Sequence, residues 1–379
     1  MSPIFKSDNL GKYVRIRTGK LDANANVPDG DYPFFTCAVE PLRIATFSYD
    51  CECVLIAGNG DLNAKYYSGK FDAYQRTYIV ESIDKSILDV RYLYFFLSTY
   101  MHKLREMSIG GVIKYIKLNY LTDVLVPFPP LPEQKRIAAI LDKADSIRRK
   151  RQDAVRLTEE LLRSVFLDMF GDPVTNPKGW NTCSLGEEVQ KIESGWSPVC
   201  EEGQAEENEW GVLKLGAVTT CRYLDSESKA LPAGISPRPD LEVKAGDLLF
   251  TRKNTYDLVA ASALVYSTRP KLMLSDLIFR LKLKDDSAVI SEYLWALLSS
   301  AGKRKQIQSL AGGSSGSMPN ISKSKLMEQM IEVPPMALQN QYAKILHSNY
   351  SIRNKLEVAA ESSDSLFNSL LQRAFKGKL

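Results

Sequence analysis

The chain has 379 residues, of which 44% are hydrophobic and 25% are charged, so it is long enough for two or three globular units and too apolar for a disordered protein. No apolar run reaches the roughly 18 residues of a membrane span and no leader-like segment opens the chain, so we expect a cytoplasmic protein. The net charge of +4 permits a nucleic-acid partner where basic residues cluster, but does not by itself indicate one.

The cysteines and histidines do not suggest a metal site. The six cysteines show no C-x-x-C spacing, and only two histidines are present to complete a zinc site. We therefore expect reduced, structural thiols, and neither a metal nor a cofactor bound by this chain.

Residues 1–127 are predicted to form a first globular unit of α+β class, the first head. Segments such as CECVLIAG and RTYIVES are short, rich in β-branched or aromatic residues and bounded by Gly, Asp or Ser, which is typical of strands. VRYLYFFLSTYMHKLREM is predicted to be helical. The head should end at the run VPFPPLP, because prolines lack an N–H donor and push the preceding residue out of the α region.

A long helix is predicted over residues 128–171. Nothing breaks a helix between Glu133 and Gly171, and at 1.5 Å per residue such a helix is about 55 Å long. Its apolar residues recur close to the three-four spacing of a coiled-coil seam. They are Ile137, Ile140, Leu141, Ala144, Ile147, Ala154, Leu161 and Val165.

The same order is then repeated. Residues 172–333 are predicted to form a second α+β head, with strand-like segments such as GVLKLGAV and LIFRLKLK, and residues 334–379 a second long helix. A shift of 205 residues aligns Ile116–Phe170 with Ile321–Phe375 without a gap, and sixteen of these 55 positions are identical. A shared bias toward Leu and Ile explains neither the paired prolines nor the matched helix starts. The second seam is predicted to comprise Tyr342, Ile345, Leu346, Ile352, Leu356, Ala359, Leu366 and Leu370.

Two long helices of this kind are expected to pack antiparallel, because each leads away from one head and must reach the other. The heads would then be related by a pseudo-two-fold axis and held at a fixed separation. Duplex DNA is a natural partner for that arrangement, since two-fold symmetric proteins read half-sites about one helical turn, roughly 34 Å, apart.

Candidate DNA contacts are expected in head loops, where donors and aromatic rings can reach bases and phosphates. In the first head, we interpret GNGDLNAKYYSGKFDAYQR as a loop, and its candidates are Asn59, Asn63, Lys65, Tyr66, Tyr67, Lys70 and Arg76. The loop before the proline run adds Lys114 and Tyr115. In the second head, TRKNTYD and the loop before the second proline run supply Arg252, Lys253, Asn254, Tyr256, Ser314, Ser315 and Asn320. Ordinary solvated loops carry the same residue types, so that alternative stays open for any one residue.

The basic run IRRKRQ points around most of the helix circumference, which favours a solvated or partner-binding face over phosphate contact.

Four stretches resemble the DNA specificity subunit of type I restriction-modification enzymes: VPFPPLPEQKRIAAILDKAD, its echo VPPMALQNQYAKIL, the strand GDLLFTR and the ending LLQRAFKGKL. The resemblance covers essentially the whole chain. It implies two target recognition domains separated by two long helices that pair as an antiparallel coiled coil, and double-stranded DNA with a bipartite, asymmetric site. It also implies docking of two modification (methyltransferase) subunits and, where present, two restriction subunits, with S-adenosylmethionine, ATP and Mg²⁺ used by those partners. The run EVPPMALQNQ departs from the family pattern by lacking an acidic residue before its glutamine.

Motifs of an enzyme are missing from the sequence. We find no N-P-P-[YF] methyltransferase loop, no G-x-G-x-x-G helix start and no phosphate-binding loop, and AGGSSGSM lacks the lysine of such a loop. Asp240 and Glu242 precede an ordinary turn into a strand. The chain is therefore predicted to be a non-catalytic subunit that reads DNA. The alternative is a coiled-coil scaffold that binds proteins at both heads and no DNA.

Overall fold

The computed structural model describes residues 5–200, 203–312 and 318–379 and divides into two compact units. The first unit comprises Met1–Ala154 with Leu356–Leu379, and the second comprises Val155–Lys355. Each unit therefore combines residues from both sequence repeats. The head boundaries near residues 127 and 333 stay a prediction. Within the described part of the chain, no helix is both long enough and apolar enough to cross a membrane.

Within the described ranges, the first unit contains eight strands, two shorter α-helices, the start of the first long helix and the end of the second. These are β1 (Ser7–Asn9), β2 (Val14–Thr18), β3 (Tyr32–Phe35), β4 (Leu42–Ile44), β5 (Tyr49–Ala57), β6 (Ala64–Ala73), β7 (Thr77–Ser82), α1 (Val90–Met107), α2 (Asn119–Thr122), β8 (Leu125–Pro127) and α3 (Leu131–Phe170). Six strands form one sheet in the order β2-β7-β5-β6-β3-β4, and β1 pairs with β8.

The central strand β5 is buried on both faces of that sheet. Val54 and Ile56 lie in the core that also contains α1, whereas Cys53 and Leu55 lie in a separate cluster on the other face. Successive side chains of a strand point to opposite faces, so a strand covered on both sides reads as a continuous apolar run.

Among the residues that the structure describes, the second unit contains nine strands, five short α-helices, the end of the first long helix and the start of the second. The elements are β9 (Asn181–Ser184), α4 (Leu185–Glu188), β10 (Val189–Ser194), β11 (Gly211–Leu213), α5 (Gly216–Thr219), β12 (Ser228–Ala230), β13 (Leu248–Thr251), β14 (Ser262–Leu264), β15 (Leu272–Met273), β16 (Ile278–Leu283), α6 (Ser291–Ser299), α7 (Ala301–Gln308), α8 (Lys323–Met327), β17 (Met330–Val333) and α9 (Met336–Phe375). The sheets have the orders β10-β16-β13-β14, β12-β11-β15 and β17-β9. Strand β13 repeats the construction of β5, with Leu248 and Phe250 in one cluster and Leu249 in another.

The long helices α3 and α9 pack antiparallel within each unit. In the first unit, Arg148 lies 3.8 Å from the Asp364 carboxylate, and Arg151 donates to the carbonyl of Ala359 at 2.8 Å. In the second unit, the equivalent ion pair joins Arg353 to Glu159. These contacts confirm the predicted fold class, α+β with two long paired helices. Each helix has 40 residues and is about 60 Å long.

The predicted apolar seam is wrong at four of its positions, where the side chains are exposed. Ile147 is 43% exposed, Leu161 and Ile352 are each 55% exposed, and Leu366 is 58% exposed. Polar and charged side chains make the helix–helix contacts there. Apolar residues of the helices are buried near the helix ends, where a head covers them. The periodicity identified the helices but could not show what covers each face.

Each long helix ends in the core of the other repeat's head. Phe375 of α9 packs on Tyr92 and Phe96 of α1, with ring centroids 5.4 and 5.3 Å apart. Phe170 of α3, the equivalent residue in the repeat, packs on Tyr293 of α6 at 4.8 Å. Neither head core is therefore complete without a helix from the other repeat.

A buried glutamine fixes the start of each long helix. The Gln134 side chain accepts from the backbone N–H of Asp89 at 2.9 Å and donates to the carbonyls of Ile87 and Pro129 at 2.8 and 2.9 Å. It is 1% exposed. Gln339 is 0% exposed and makes the same three bonds, to Ile290, Ala288 and Pro334.

A second contact between each head and its own helix has its acidic residue on opposite sides in the two units. In the first unit, Arg91 of α1 donates to the Asp142 carboxylate of α3 at 2.6 Å. In the second unit, the equivalent positions carry Glu292 of α6 and His347 of α9, whose Oε1 and Nε2 atoms are 3.1 Å apart. The two contacts lie at equivalent positions of the repeat, but different residue types make them.

We predict that Gln339→Leu lowers the free energy of unfolding of the second unit by roughly 2–5 kcal/mol, because two buried carbonyls and one buried N–H lose their partner. Urea denaturation followed by tryptophan fluorescence measures this directly, since all four tryptophans lie in the second unit. Gln341→Leu, at an exposed position on the same helix, is the matched control and should change stability by less than about 0.5 kcal/mol. Equal effects of the two substitutions would contradict the assigned role.

Candidate nucleic-acid interface

In the first head, the candidate interface forms where β5 ends beside the loop 109–115. The N–H of Ile116 donates to the carbonyl of Gly58 at 2.9 Å, and the N–H of Gly60 donates to that of Lys114 at 3.0 Å. A bridge also pairs Asn59 with Tyr115. The backbone thus brings together two segments that the sequence places more than 50 residues apart.

Arg76 joins this group from the turn between β6 and β7. Its carbonyl accepts from the N–H of Gly58 at 2.8 Å, and its side chain is exposed. The Cys37 thiol donates to Asn59 Oδ1 at 2.9 Å and thereby orients that amide. The backbone of Asn59, Arg76, Lys114 and Tyr115 therefore comes together at one end of the central strands.

Asn63 and Lys65 lie close by but are engaged internally. The Asn63 amide donates to the carbonyls of Cys37 and Asp61, both at 2.8 Å, and its oxygen accepts from the Lys65 ammonium. Burial lowers the pKa of Lys65 below its usual value, because the charged form loses water contacts. The Asn63 and Lys65 side chains therefore bond to groups within the head.

The prediction of one long loop is wrong, because Ala64–Ala73 forms strand β6. Tyr66 donates to Glu52 at 2.7 Å under the Arg91 guanidinium, and burial together with Glu52 raises its pKa to about 12. Tyr67 packs on the ring of Phe35 at 5.0 Å. Both tyrosines therefore make internal contacts.

Lys70 lies at the far end of the same strand. Lys70 pairs with Asp50, whereas Ala64 pairs with Ile56, so six residues of strand, about 20 Å, separate Lys70 from the candidate interface. Its ammonium lies 4.7 Å from the centre of the Phe47 ring. The structure does not bring Lys70 together with the other candidates.

The second head has the same construction at the end of β13. The N–H of Ile321 donates to the carbonyl of Arg252 at 2.8 Å, and Lys253 is bridged to Asn320. The Arg252 side chain donates to Asn320 Oδ1 at 3.2 Å. Arg252, Lys253 and Asn320 therefore occupy the place that Gly58, Asn59 and Tyr115 occupy in the first head.

The remaining candidates of the second head have different surroundings. Tyr256 is 57% exposed, but Asn254 is buried, donates to Thr219 at 3.4 Å and accepts from the N–H of Thr255 at 2.8 Å. These two bonds indicate that the Asn254 side chain stabilises the turn after β13. Ser314 and Ser315 lie outside the described residues.

The sequence analysis missed two residues at these sites. Cys37 comes from a distant segment and has no motif that signals it. Lys323, three residues after Asn320, is the first residue of α8. Its ammonium lies 5.6 Å from the centre of the Phe279 ring and donates to the carbonyl of Ile192. Within the described ranges, no group of three or more His, Cys, Asp or Glu side chains could hold a metal ion. The two sites present hydrogen-bond donors, cations and aromatic rings, which suit base edges and phosphates.

The family model and the similar proteins agree on one family. A family model described as the type I restriction modification DNA specificity domain matches residues 5–157 and 177–361. The type I restriction enzyme EcoDI specificity subunit of Escherichia coli is 44% identical over 138 residues, covering 36% of this chain and 30% of that protein. The EcoEI specificity subunit of Escherichia coli is 32% identical over 226 residues, covering 58% and 38%. The chain thus spans between 30% and 38% of the length of these two relatives.

A solved structure shares the fold. The crystal structure of the S subunit of a type I restriction-modification system from M. genitalium matches with a TM-score of 0.68 at 15% identity. The match covers 99% of this chain and 96% of that one. At this identity the likeness concerns the fold alone.

We predict that Asn254→Ala lowers the free energy of unfolding of the second unit by about 1–2 kcal/mol, because a buried amide that closes the turn is lost. Lys253→Ala should change it by less than about 0.5 kcal/mol, because the bridge of Lys253 to Asn320 is made by the backbone. Tryptophan fluorescence during urea denaturation measures both variants. A loss of stability in Lys253→Ala and none in Asn254→Ala would reverse the assignment.

Proposed function

The chain belongs to the family of type I restriction modification DNA specificity domains, and we propose that it is the subunit that reads the DNA sequence in such a system. Each head reads one half of a bipartite, asymmetric site. The chain itself carries out no chemistry, and methylation and cleavage belong to its partners.

One observation carries this proposal: the same backbone frame displays different side chains in the two heads. The frame in each head is a central strand end bonded to the loop before the proline run. It carries Asn59, Arg76, Lys114 and Tyr115 in the first head and Arg252, Lys253, Tyr256 and Asn320 in the second. Asn can bond adenine bidentately and Arg or Lys can bond guanine, so two such surfaces would read two different half-sites.

We further propose that α3 and α9 set the spacing between the half-sites. Two 40-residue helices, each buried at one end in a head core of the other repeat, resist sliding along each other. A change in their length should therefore change the spacing that the protein prefers.

The helices also offer two equivalent docking surfaces for two copies of a modification subunit. Ile147 and Leu366 are exposed beside the Arg148–Asp364 pair of the first unit. Their equivalents in the repeat, Ile352 and Leu161, are exposed beside the Arg353–Glu159 pair of the second. Exposed apolar residues at matched positions suit one partner bound twice. S-adenosylmethionine would be held by these partners, and ATP and Mg²⁺ by two restriction subunits where the system has them.

The function is tested by selecting duplexes from a random pool with the purified full chain and its modification subunit, at stated salt. We expect two short specified blocks separated by an unspecified spacer. Arg76→Gln should weaken binding to the selected duplex about 10- to 100-fold, the loss expected for one base-reading contact. Lys70→Gln, at the far end of β6, is the matched control and should bind like the wild type. Enrichment of no sequence, or of a single block, would contradict the proposal and favour the scaffold alternative.

The spacing is tested by inserting four residues after Asp153 and four after Val358, which are equivalent positions in the repeat. Each insertion lengthens a helix by about 6 Å and turns it to within some 40° of a full rotation, so the helix faces can still meet. We expect the preferred spacer to grow by about two base pairs, at about 3.4 Å each, with both blocks unchanged. Binding to duplexes that differ only in spacer length measures this. An unchanged spacer in a folded insertion variant would rule out the helices as the ruler.

The docking surfaces are tested by native mass spectrometry of the chain with its modification subunit. The wild type should bind two copies. Ile147→Ser with Leu366→Ser should remove one copy, and Leu161→Ser with Ile352→Ser should remove the other, because each pair loses the apolar surface of one patch. Two bound copies in either variant would show that docking lies elsewhere.

A further inference from the structure

The loop 109–115 of the first head exposes an apolar tip. Reciprocal bonds between Ile109 and Tyr115, at 3.0 and 2.8 Å, close the loop at its base. Gly110 has φ +120° and leaves no room for a side chain, since a Cβ there would lie 2.5 Å from the Ile113 carbonyl oxygen. At the tip, Val112 is fully exposed and Ile113 is 62% exposed. Two branched apolar side chains are thus held out in water by a turn that a glycine makes possible.

The surroundings of this tip are polar and cationic. Lys114 follows it directly, and the Lys114 carbonyl is bonded to Gly60 at the end of β5, beside Asn59. The Arg76 carbonyl bonds the neighbouring Gly58. A cation directly beside an apolar tip suits a DNA groove, in which phosphates form the rims and base edges the floor. The apolar feature of the base edges in the major groove is the C5 methyl of thymine.

We propose that Val112 and Ile113 form an apolar contact with thymine methyl groups in the half-site read by the first head. The inference rests on the proposed function and adds a specificity element to it. The contact gives base discrimination without hydrogen bonds, while Lys114 and Arg76 supply the polar contacts beside it.

The second head differs in sequence at this loop. Between Gly312 and Asn320 the chain reads GSSGSMP, so serines and glycines replace the branched Val-Ile pair and one unbranched apolar residue, Met318, is 49% exposed. Hydroxyl groups bond polar base edges rather than methyl groups. A contact through two adjacent branched apolar side chains is therefore expected only in the half-site that the first head reads.

The test uses the duplex that the wild-type chain and its modification subunit select, with thymine replaced by deoxyuridine in each half-site separately. Deoxyuridine lacks the methyl group but keeps the same hydrogen-bonding edge. We expect wild-type binding to weaken about fourfold for each contacted methyl group, in one half-site only, which is the effect of burying one methylene-sized group. The variant Val112→Ser with Ile113→Ser should bind the thymine duplex more weakly and should not respond to deoxyuridine.

Two matched variants separate this contact from a charge effect or a folding effect. Val112→Ile with Ile113→Val keeps the tip apolar and should keep the response to deoxyuridine. Lys114→Gln should reduce the slope of log affinity against log salt by roughly 0.9 if Lys114 contacts one phosphate, whereas the serine variant should leave the slope unchanged. The tip is exposed, so thermal unfolding of the serine variant should match the wild type.

The outcomes distinguish this inference from the proposed function. If no duplex is selected, the proposed function fails and the inference with it. If a two-block duplex is selected but the serine variant binds it as tightly, or still responds to deoxyuridine, only the thymine contact is overturned. A selected site with no thymine in either half would overturn it as well.

Discussion

The structure depends on a buried glutamine in the first turn of each long helix, just after the proline run. The prolines give up backbone donors, and the turn into each long helix leaves a buried carbonyl, of Pro129 or Pro334, that needs a partner. The amide of Gln134 or Gln339 satisfies that carbonyl and also bonds the segment before the head helix. A leucine would fill the space but leave these groups unpaired, and a glutamate could not donate to the carbonyls. The direction in which each long helix leaves its head is therefore fixed by neutral hydrogen bonds.

The far end of each helix is fixed by packing. Phe170 and Phe375 lie at equivalent positions of the repeat. Phe170 belongs to the core cluster of the second head, and Phe375 packs against that of the first. Withdrawing such a ring from a core costs on the order of 3–5 kcal/mol. Between the two ends, ion pairs of arginine with carboxylate side chains join the helices within each unit. Sliding of the helices along each other would break these ion pairs and withdraw both rings from the cores.

The sequence predicted the elements whose signals are local. Proline chemistry, helical periodicity and the gapless repeat identified both long helices and their order. The sequence could not show which side chains are covered, because that depends on segments far away in the chain. Ile147 and Leu161 have the spacing of a seam but are exposed, and β6 has the composition of a loop but lies next to the central strand. In the second head the same limit separates Asn254, which is buried, from Tyr256, two residues along and exposed.

The acidic residue at the contact between head and helix distinguishes the two head positions in the chain. The first head presents Arg91 to the Asp142 of its helix, whereas the second presents Glu292 to His347. Moved into the first position, a head with the acidic residue would face Asp142 as a second carboxylate, and like charges at that distance repel. Exchanging the two heads between their positions in the chain would meet this mismatch at the first junction. The order of the two heads along the chain is therefore favoured by the Arg91–Asp142 pair.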